Sequence, residues 1–117
     1  MIEIQAMFPV MVTGDLTSIK TFYQSVFGFE AVFFDSAFYL HLLHPGTGIQ
    51  LGFMLPELAN QPDFLHPMMQ TQGYVISLEV QDAAAAFEQA RQMQLNIAME
   101  LKEESWGQIH FMLTDPG

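Results

Sequence analysis

An α+β fold made of two repeated β-α-β-β(-β) modules is what the sequence predicts, and three observations predict it. Asp15 and Asp82 each stand where a helix N-cap belongs, and the apolar residues behind them keep the same offsets. Leu16, Ile19, Tyr23 and Val26 follow the first cap; Ala83, Ala86, Ala90 and Met93 follow the second. Strand-like runs flank both helices, in the order strand, helix, strand, strand, with one more strand closing the first copy. Between the copies lies PELANQPDFLHPMMQTQG, residues 56–73, where Pro56, Pro62 and Pro67 deny a long helix or a central strand. A chain of 117 residues holds one domain. Module 1 covers about 4–55, the linker 56–73 and module 2 about 74–117.

The elements follow in order. In the run 6–12, Phe8, Val10 and Val12 share one strand face and Met7, Pro9 and Met11 the other, so both faces call for cover. Behind Asp15, the residues Leu16, Ile19, Phe22, Tyr23, Val26 and Phe27 trace one helical stripe, and Gly28 can end it in the left-handed conformation. Strands are predicted over 29–34, 38–43 and 49–55, with His-Pro-Gly-Thr-Gly at 44–48 as the hairpin turn. In the linker, Phe64, Met68 and Met69 supply adaptable apolar contacts. A flap over a pocket and an anchor on the core both fit them. The second copy gives a strand over 74–80, a helix behind Asp82, Asn96 in the role of Gly28, and strands over 97–101 and 108–114.

Composition narrows the function classes. Half of the residues are apolar and 14% are charged, so the chain is globular. Three basic residues, Lys20, Arg91 and Lys102, face thirteen acidic ones, and a net charge of -10 repels nucleic acid and anionic membranes. Cationic small molecules are favoured by such a field, although acidity that serves solubility alone is the simpler reading. With no cysteine, disulfides, thiolate nucleophiles and sulfur-ligated zinc are excluded. The start MIEIQAMFPVMV lacks the basic flank of a signal peptide, and no apolar run reaches membrane-spanning length, which predicts a cytoplasmic protein.

The double β-α-β-β-β pattern, with VTGDLTSIKTFYQSVFGFE in the first copy and SWGQIHFMLTDPG in the second, resembles the glyoxalase, bleomycin-resistance and dioxygenase superfamily, the vicinal oxygen chelate proteins. The likeness covers nearly the whole chain. Its most specific parts are Asp15-Leu16, Phe22-Tyr23, Gly28-Phe29, Trp106-Gly107, His110-Phe111 and Asp115-Pro116-Gly117. It implies a curled mixed-sheet cup with helices outside, two modules facing each other around a pocket, and often a dimer. It also implies a last strand after the Asp-Pro turn, which is missing from these residues and which often carries an acidic metal ligand. A homodimer is the expected assembly, since open sheet edges need cover.

The resemblance implies metal ligands near the starts of the first and fifth strands, on the fourth strand and on the last. Counted back seven residues from each capping Asp, the first two positions fall on Phe8 and Val75, which have no donor atom. The fourth-strand position is Gln50, a weak ligand alone. His41 and His44, three apart on a strand, point to opposite faces; His66 reads as a surface loop residue. His110 alternates with Gln108 and Met112, on the face expected to look into the cup. A hydrogen-bonded structural histidine is its simpler role. Ser77 and Glu79 share a face with Val75, but a serine without a positioned histidine is only polar, and a carboxyl hydrogen-bonded in the core fits Glu79 as well as a base does. No catalytic residue, metal ligand or cofactor is therefore assigned.

Trp106 sits between Ser105 and Gly107, where a strand begins. The drug-binding relatives stack planar groups on a Trp before this strand and a Phe at the start of the third, and Phe38 matches the latter. The resemblance therefore implies ligand stacking at Trp106, while a core or dimer anchor fits it equally. Tyr39, His41 and Gln50 could add polar contacts, giving a candidate ligand-binding set of Phe38, Tyr39, His41, Gln50, Trp106, Gln108 and His110. The leading expectation is a metal-free protein of the bleomycin-resistance type that sequesters a planar, cationic aromatic compound. The alternatives are a metal-dependent lyase or dioxygenase of the same fold, and a dimerisation or regulatory module with no dedicated ligand.

Overall fold

The computed structural model describes residues 1–70 and 73–117. Among the described residues it is α+β, with two α-helices, a four-stranded mixed sheet and a separate two-stranded sheet, and it falls into two compact units, Met1–Gly73 with Pro116–Gly117, and Tyr74–Asp115. Among the described residues no helix is long and apolar enough to cross a membrane.

The first unit runs β1 (Val10–Val12), α1 (Leu16–Phe27), β2 (Glu30–Asp35), β3 (Tyr39–Leu43) and β4 (Gln50–Met54). Its open sheet has the order β1-β4-β3-β2, with β1 parallel to β4 and the other pairs antiparallel. Asp15 caps α1 by accepting from Ser18 N at 3.0 Å, and Gly28 ends it at φ 74°, a conformation that costs glycine nothing. Leu16, Ile19 and Tyr23 of the predicted stripe are buried. Opposite them the strands alternate: Leu40 and Leu42 are fully buried while Tyr39, His41 and Leu43 between them are not. The Tyr23 ring lies 5.6 Å from Phe29 and 5.7 Å from Phe53, which ties the helix to the sheet.

The turn at 44–48 closes as predicted, with Gly48 N–H donating to the His44 carbonyl at 2.8 Å. Strand β1 is shorter than the run 6–12, because Pro9 has no N–H to give; its carbonyl still accepts from Gly52 N at 2.9 Å. The linker holds a 3-10 turn at Asp63–Leu65 and is tied to its own unit, with Met69 N–H donating to the Val12 carbonyl at 2.8 Å. Residues 71 and 72 of that linker lie outside the described residues. His66 is no free surface residue. It is half-buried, and its Nε2 donates to the carbonyl of Gln61 at 3.0 Å, closing the loop. Gln61 itself is 7% exposed and donates to the Leu55 carbonyl at 2.6 Å.

The second unit contains α2 (Ala83–Gln92) and the hairpin β5 (Ile97–Glu103) and β6 (Ile109–Leu113). Asp82 caps α2 through Ala85 N at 3.0 Å, as its twin does. Ala90 is buried, and Phe87 meets Phe111 at 5.2 Å in an edge-to-face contact that seats the helix on the hairpin.

Three expectations fail here. Residues 74–80 form no strand. In the first unit β1 is held by β4 alone, and the described second unit has only β5 and β6, so 74–80 finds no ladder to join. Met93 is not on the buried stripe: it is the C-cap of α2 and 46% exposed. Asn96 does not take the left-handed conformation; Gln94 does, at φ 56°. Asn96 belongs to the hairpin instead, its carbonyl accepting from Thr114 N at 3.0 Å and its side-chain amide donating to Thr114 Oγ1 at 2.6 Å.

Candidate functional site

In the first unit the candidate residues lie on the sheet face opposite the buried Leu40 and Leu42. Antiparallel pairing puts His41 across from Gly52, Leu43 across from Gln50 and Tyr39 across from Met54, so all six share that face. Tyr39 Oη is 2.8 Å from His41 Nδ1, and His41 Nε2 is 2.7 Å from Gln50 Oε1. An amide oxygen only accepts, so Nε2 carries the proton; in the neutral ring Nδ1 then accepts from the tyrosine hydroxyl. Burial raises the Tyr39 pKa above the usual 10.0, keeping the phenol a neutral donor at physiological pH. Room for that hydroxyl comes from Gly52, whose missing Cβ would meet Tyr39 Oη and stand 3.0 Å from Val10 Cγ2.

Aromatic rings flank this polar chain. Phe8 stands edge-on to the His41 ring at 4.6 Å, and Phe33 lies 6.2 Å from Tyr39 and 6.3 Å from Phe38. Phe8 and Phe33 are 39% and 49% exposed, so their faces are open to a partner. A divalent metal, which the resemblance implies, does not fit the residues present. Phenyl carbons stand against His41, both imidazole nitrogens are engaged by Tyr39 and Gln50, and Val75 offers no donor. Among the described residues no three His, Asp or Glu side chains converge as a metal site. His44 is held apart from His41 by its own bond, Nδ1 to Thr47 Oγ1 at 2.8 Å.

In the second unit Trp106 is 70% exposed and its Nε1–H donates to Gln108 Oε1 at 3.3 Å, while Gly107 turns the chain at φ 95°. An open cleft of about 650 Å³, lined by Val80, Asp82, Ala83, Gly107 and Ile109, adjoins this turn and is within the size range of small-molecule sites. His110 does not bond with Trp106 or Gln108. Phe111 faces α2, so His110 looks the other way, with Nε2 at 3.4 Å from Glu104 Oε1. Lys102 Nζ bonds the same carboxylate at 3.0 Å and, ahead of His110, holds its pKa below the usual 4.5. Ser77 and Glu79 are exposed, in neither case the buried setting that a hydrogen-bonded core acid requires.

The fold thus brings Phe38, Tyr39, His41 and Gln50 together, and separately Trp106 with Gln108. Sequence reasoning missed Phe8 and Phe33 as flanking rings, Glu104 as the partner of His110, and Gly52. The last had a signal: a glycine inside the apolar run QLGFM marks a close approach.

A family model described as the Glyoxalase/Bleomycin resistance protein/Dioxygenase superfamily matches residues 6–117. Among solved structures, the chain is similar to a lactoylglutathione lyase from Agrobacterium tumefaciens, at 16% identity and TM-score 0.74, covering 96% of this chain and 86% of that one. It is similar to a glyoxalase/bleomycin resistance protein/dioxygenase superfamily member from Sphaerobacter thermophilus, at 21% identity and TM-score 0.73, covering 97% and 90%. A bleomycin resistance determinant encoded on the transposon Tn5 aligns at 20% identity and TM-score 0.65, covering 97% and 90%. No curated protein matches the chain. Identities this low establish the fold and leave the chemistry to the side chains.

Proposed function

Because the chain belongs to the glyoxalase/bleomycin resistance protein/dioxygenase superfamily, we propose that it uses that fold to bind and sequester a planar, cationic aromatic small molecule, breaking no bond in it. One observation carries this reading: the His41 imidazole has no lone pair left for a metal, since Tyr39 and Gln50 engage both nitrogens and the Phe8 ring stands against it. A surface of rings and hydrogen-bonding groups can hold a flat molecule by stacking and edge contacts. Exposed Phe8 and Phe33 supply stacking faces in the first unit and exposed Trp106 one in the second, each worth about 0.5–1.5 kcal/mol beyond the area buried. The net charge of -10 favours a cation. The reading includes a homodimer, supported by the exposed apolar side chains Val32, Phe33, Val75 and Val80.

The test is calorimetric titration with a panel of cationic polycyclic aromatics, with Trp106 emission followed in parallel, alongside metal analysis of protein purified without chelator. Saturable binding of at least one compound and no stoichiometric metal is the expected result. A stoichiometric divalent ion lost on substituting His41, Gln50 or His110 would overturn it in favour of a lyase or dioxygenase. No response across the panel would leave the interaction module.

A further inference from the structure

Resting on the reading of this sheet face as a ligand surface, we infer that Gln50 sets ligand choice there. Its amide NH2 is the donor for a planar aromatic that carries a hydrogen-bond acceptor on its edge, a ring carbonyl or a pyridine-type nitrogen. The chain Tyr39–His41–Gln50 has one direction. Gln50 Oε1 lies 2.7 Å from His41 Nε2, so Nε2 bears hydrogen, Nδ1 accepts, and Tyr39 Oη donates across 2.8 Å. Turning the amide over would require the other imidazole tautomer and a tyrosine hydroxyl that accepts instead of donating. With Oε1 on His41, the amide nitrogen points away from the ring.

That nitrogen makes no hydrogen bond among the described residues, and the side chain is half-exposed. Around it the face is suited to a flat ring. The Tyr39 hydroxyl fills the space over Gly52, and Phe8 stands edge-on beside His41. An acceptor-bearing aromatic lying here satisfies the free N–H groups; a hydrocarbon of the same outline covers them and leaves them dry. Discrimination of this kind is worth about five- to tenfold in affinity. Tyr39 acts one step removed, as a positioning residue: its hydroxyl bonds Nδ1 and so holds the imidazole on which the amide oxygen rests.

The experiment uses two matched cations, a quinoline and a naphthalene, each carrying a trimethylammoniomethyl arm, titrated calorimetrically into the whole protein. The side-chain amide resonances of Gln50 are followed in parallel. The quinoline should bind about five- to tenfold more tightly and shift those resonances, which the naphthalene should leave in place. Gln50→Met removes the NH2 without adding a charge, so the preference for the quinoline over the naphthalene should fall to about one, whatever happens to the two affinities together. Tyr39→Phe should lose part of the preference. Should Gln50→Met not fold, Gln50→Leu and the amide resonances of the native protein carry the same test. Equal binding of the two probes, or an unshifted Gln50 amide, overturns the assignment of Gln50 while the sequestration reading stands. Failure of both probes to bind overturns both.

Discussion

Gly52 is the smallest residue on the candidate face and the one on which its geometry turns. It sits opposite His41 in the ladder, and the space its side chain would fill holds the Tyr39 hydroxyl. A methyl group there meets Tyr39 Oη and comes within 3.0 Å of Val10 Cγ2. The phenol can only yield by leaving His41 Nδ1. Gly52→Ala should therefore cost about 1–2 kcal/mol, the sum of mild overpacking and one lost hydrogen bond. The measurement is a urea unfolding midpoint at unchanged slope. Adding Tyr39→Phe removes the obstructing oxygen, so the double variant should be less destabilised than the two single effects added together. Strict additivity would mean that the two residues do not touch.

At the scale of elements, helices and strands were legible to different degrees because they draw on different information. A helix carries its signals within itself. Asp15, Asp82 and Gly28 do what their local chemistry predicts, since a cap needs only the next turn. A strand needs a partner that its own residues do not name. The run 74–80 has β-branched and aromatic residues but no strand beside it, whereas β4, which has no β-branched residue, has β3 on one side and β1 on the other. The site shows the same division. Alternation and one hairpin suffice to place Tyr39, His41 and Gln50 on one face. Phe33 was hidden because the register slips between Ala31 and Phe33, so that Ala31 opposes Leu42 while Phe33 opposes His41. Glu104 was hidden because it stands in the β5–β6 turn, where no periodicity applies. Backbone amides of 74–80 should consequently exchange with solvent deuterium at least about a hundredfold faster than those of Leu51 and Phe53, as the free energy of opening differs between ladder and free chain. Comparable protection in a monomeric sample would show that a ladder partner exists.

For the whole molecule, charge decides between steering and mere solubility. Thirteen acidic residues against three basic ones give a net charge of -10, a field that acts on any cation approaching either unit. Stacking and hydrogen bonding act at contact and are nearly indifferent to salt, whereas the summed field reaches about 30 Å at 0.01 M ionic strength and about 3 Å at 1 M. The two contributions therefore separate on a salt axis. The trimethylammonium naphthalene and a tert-butyl naphthalene of the same shape should bind with different salt responses. Affinity for the cation should fall severalfold, roughly three- to tenfold, across that range, in proportion to the field lost. Affinity for the neutral compound should hold or rise slightly, since salt strengthens apolar burial. Parallel salt curves for the two compounds would assign the acidity to solubility and remove the cationic requirement from the proposed ligand, leaving the aromatic face and the Gln50 donor as its only determinants.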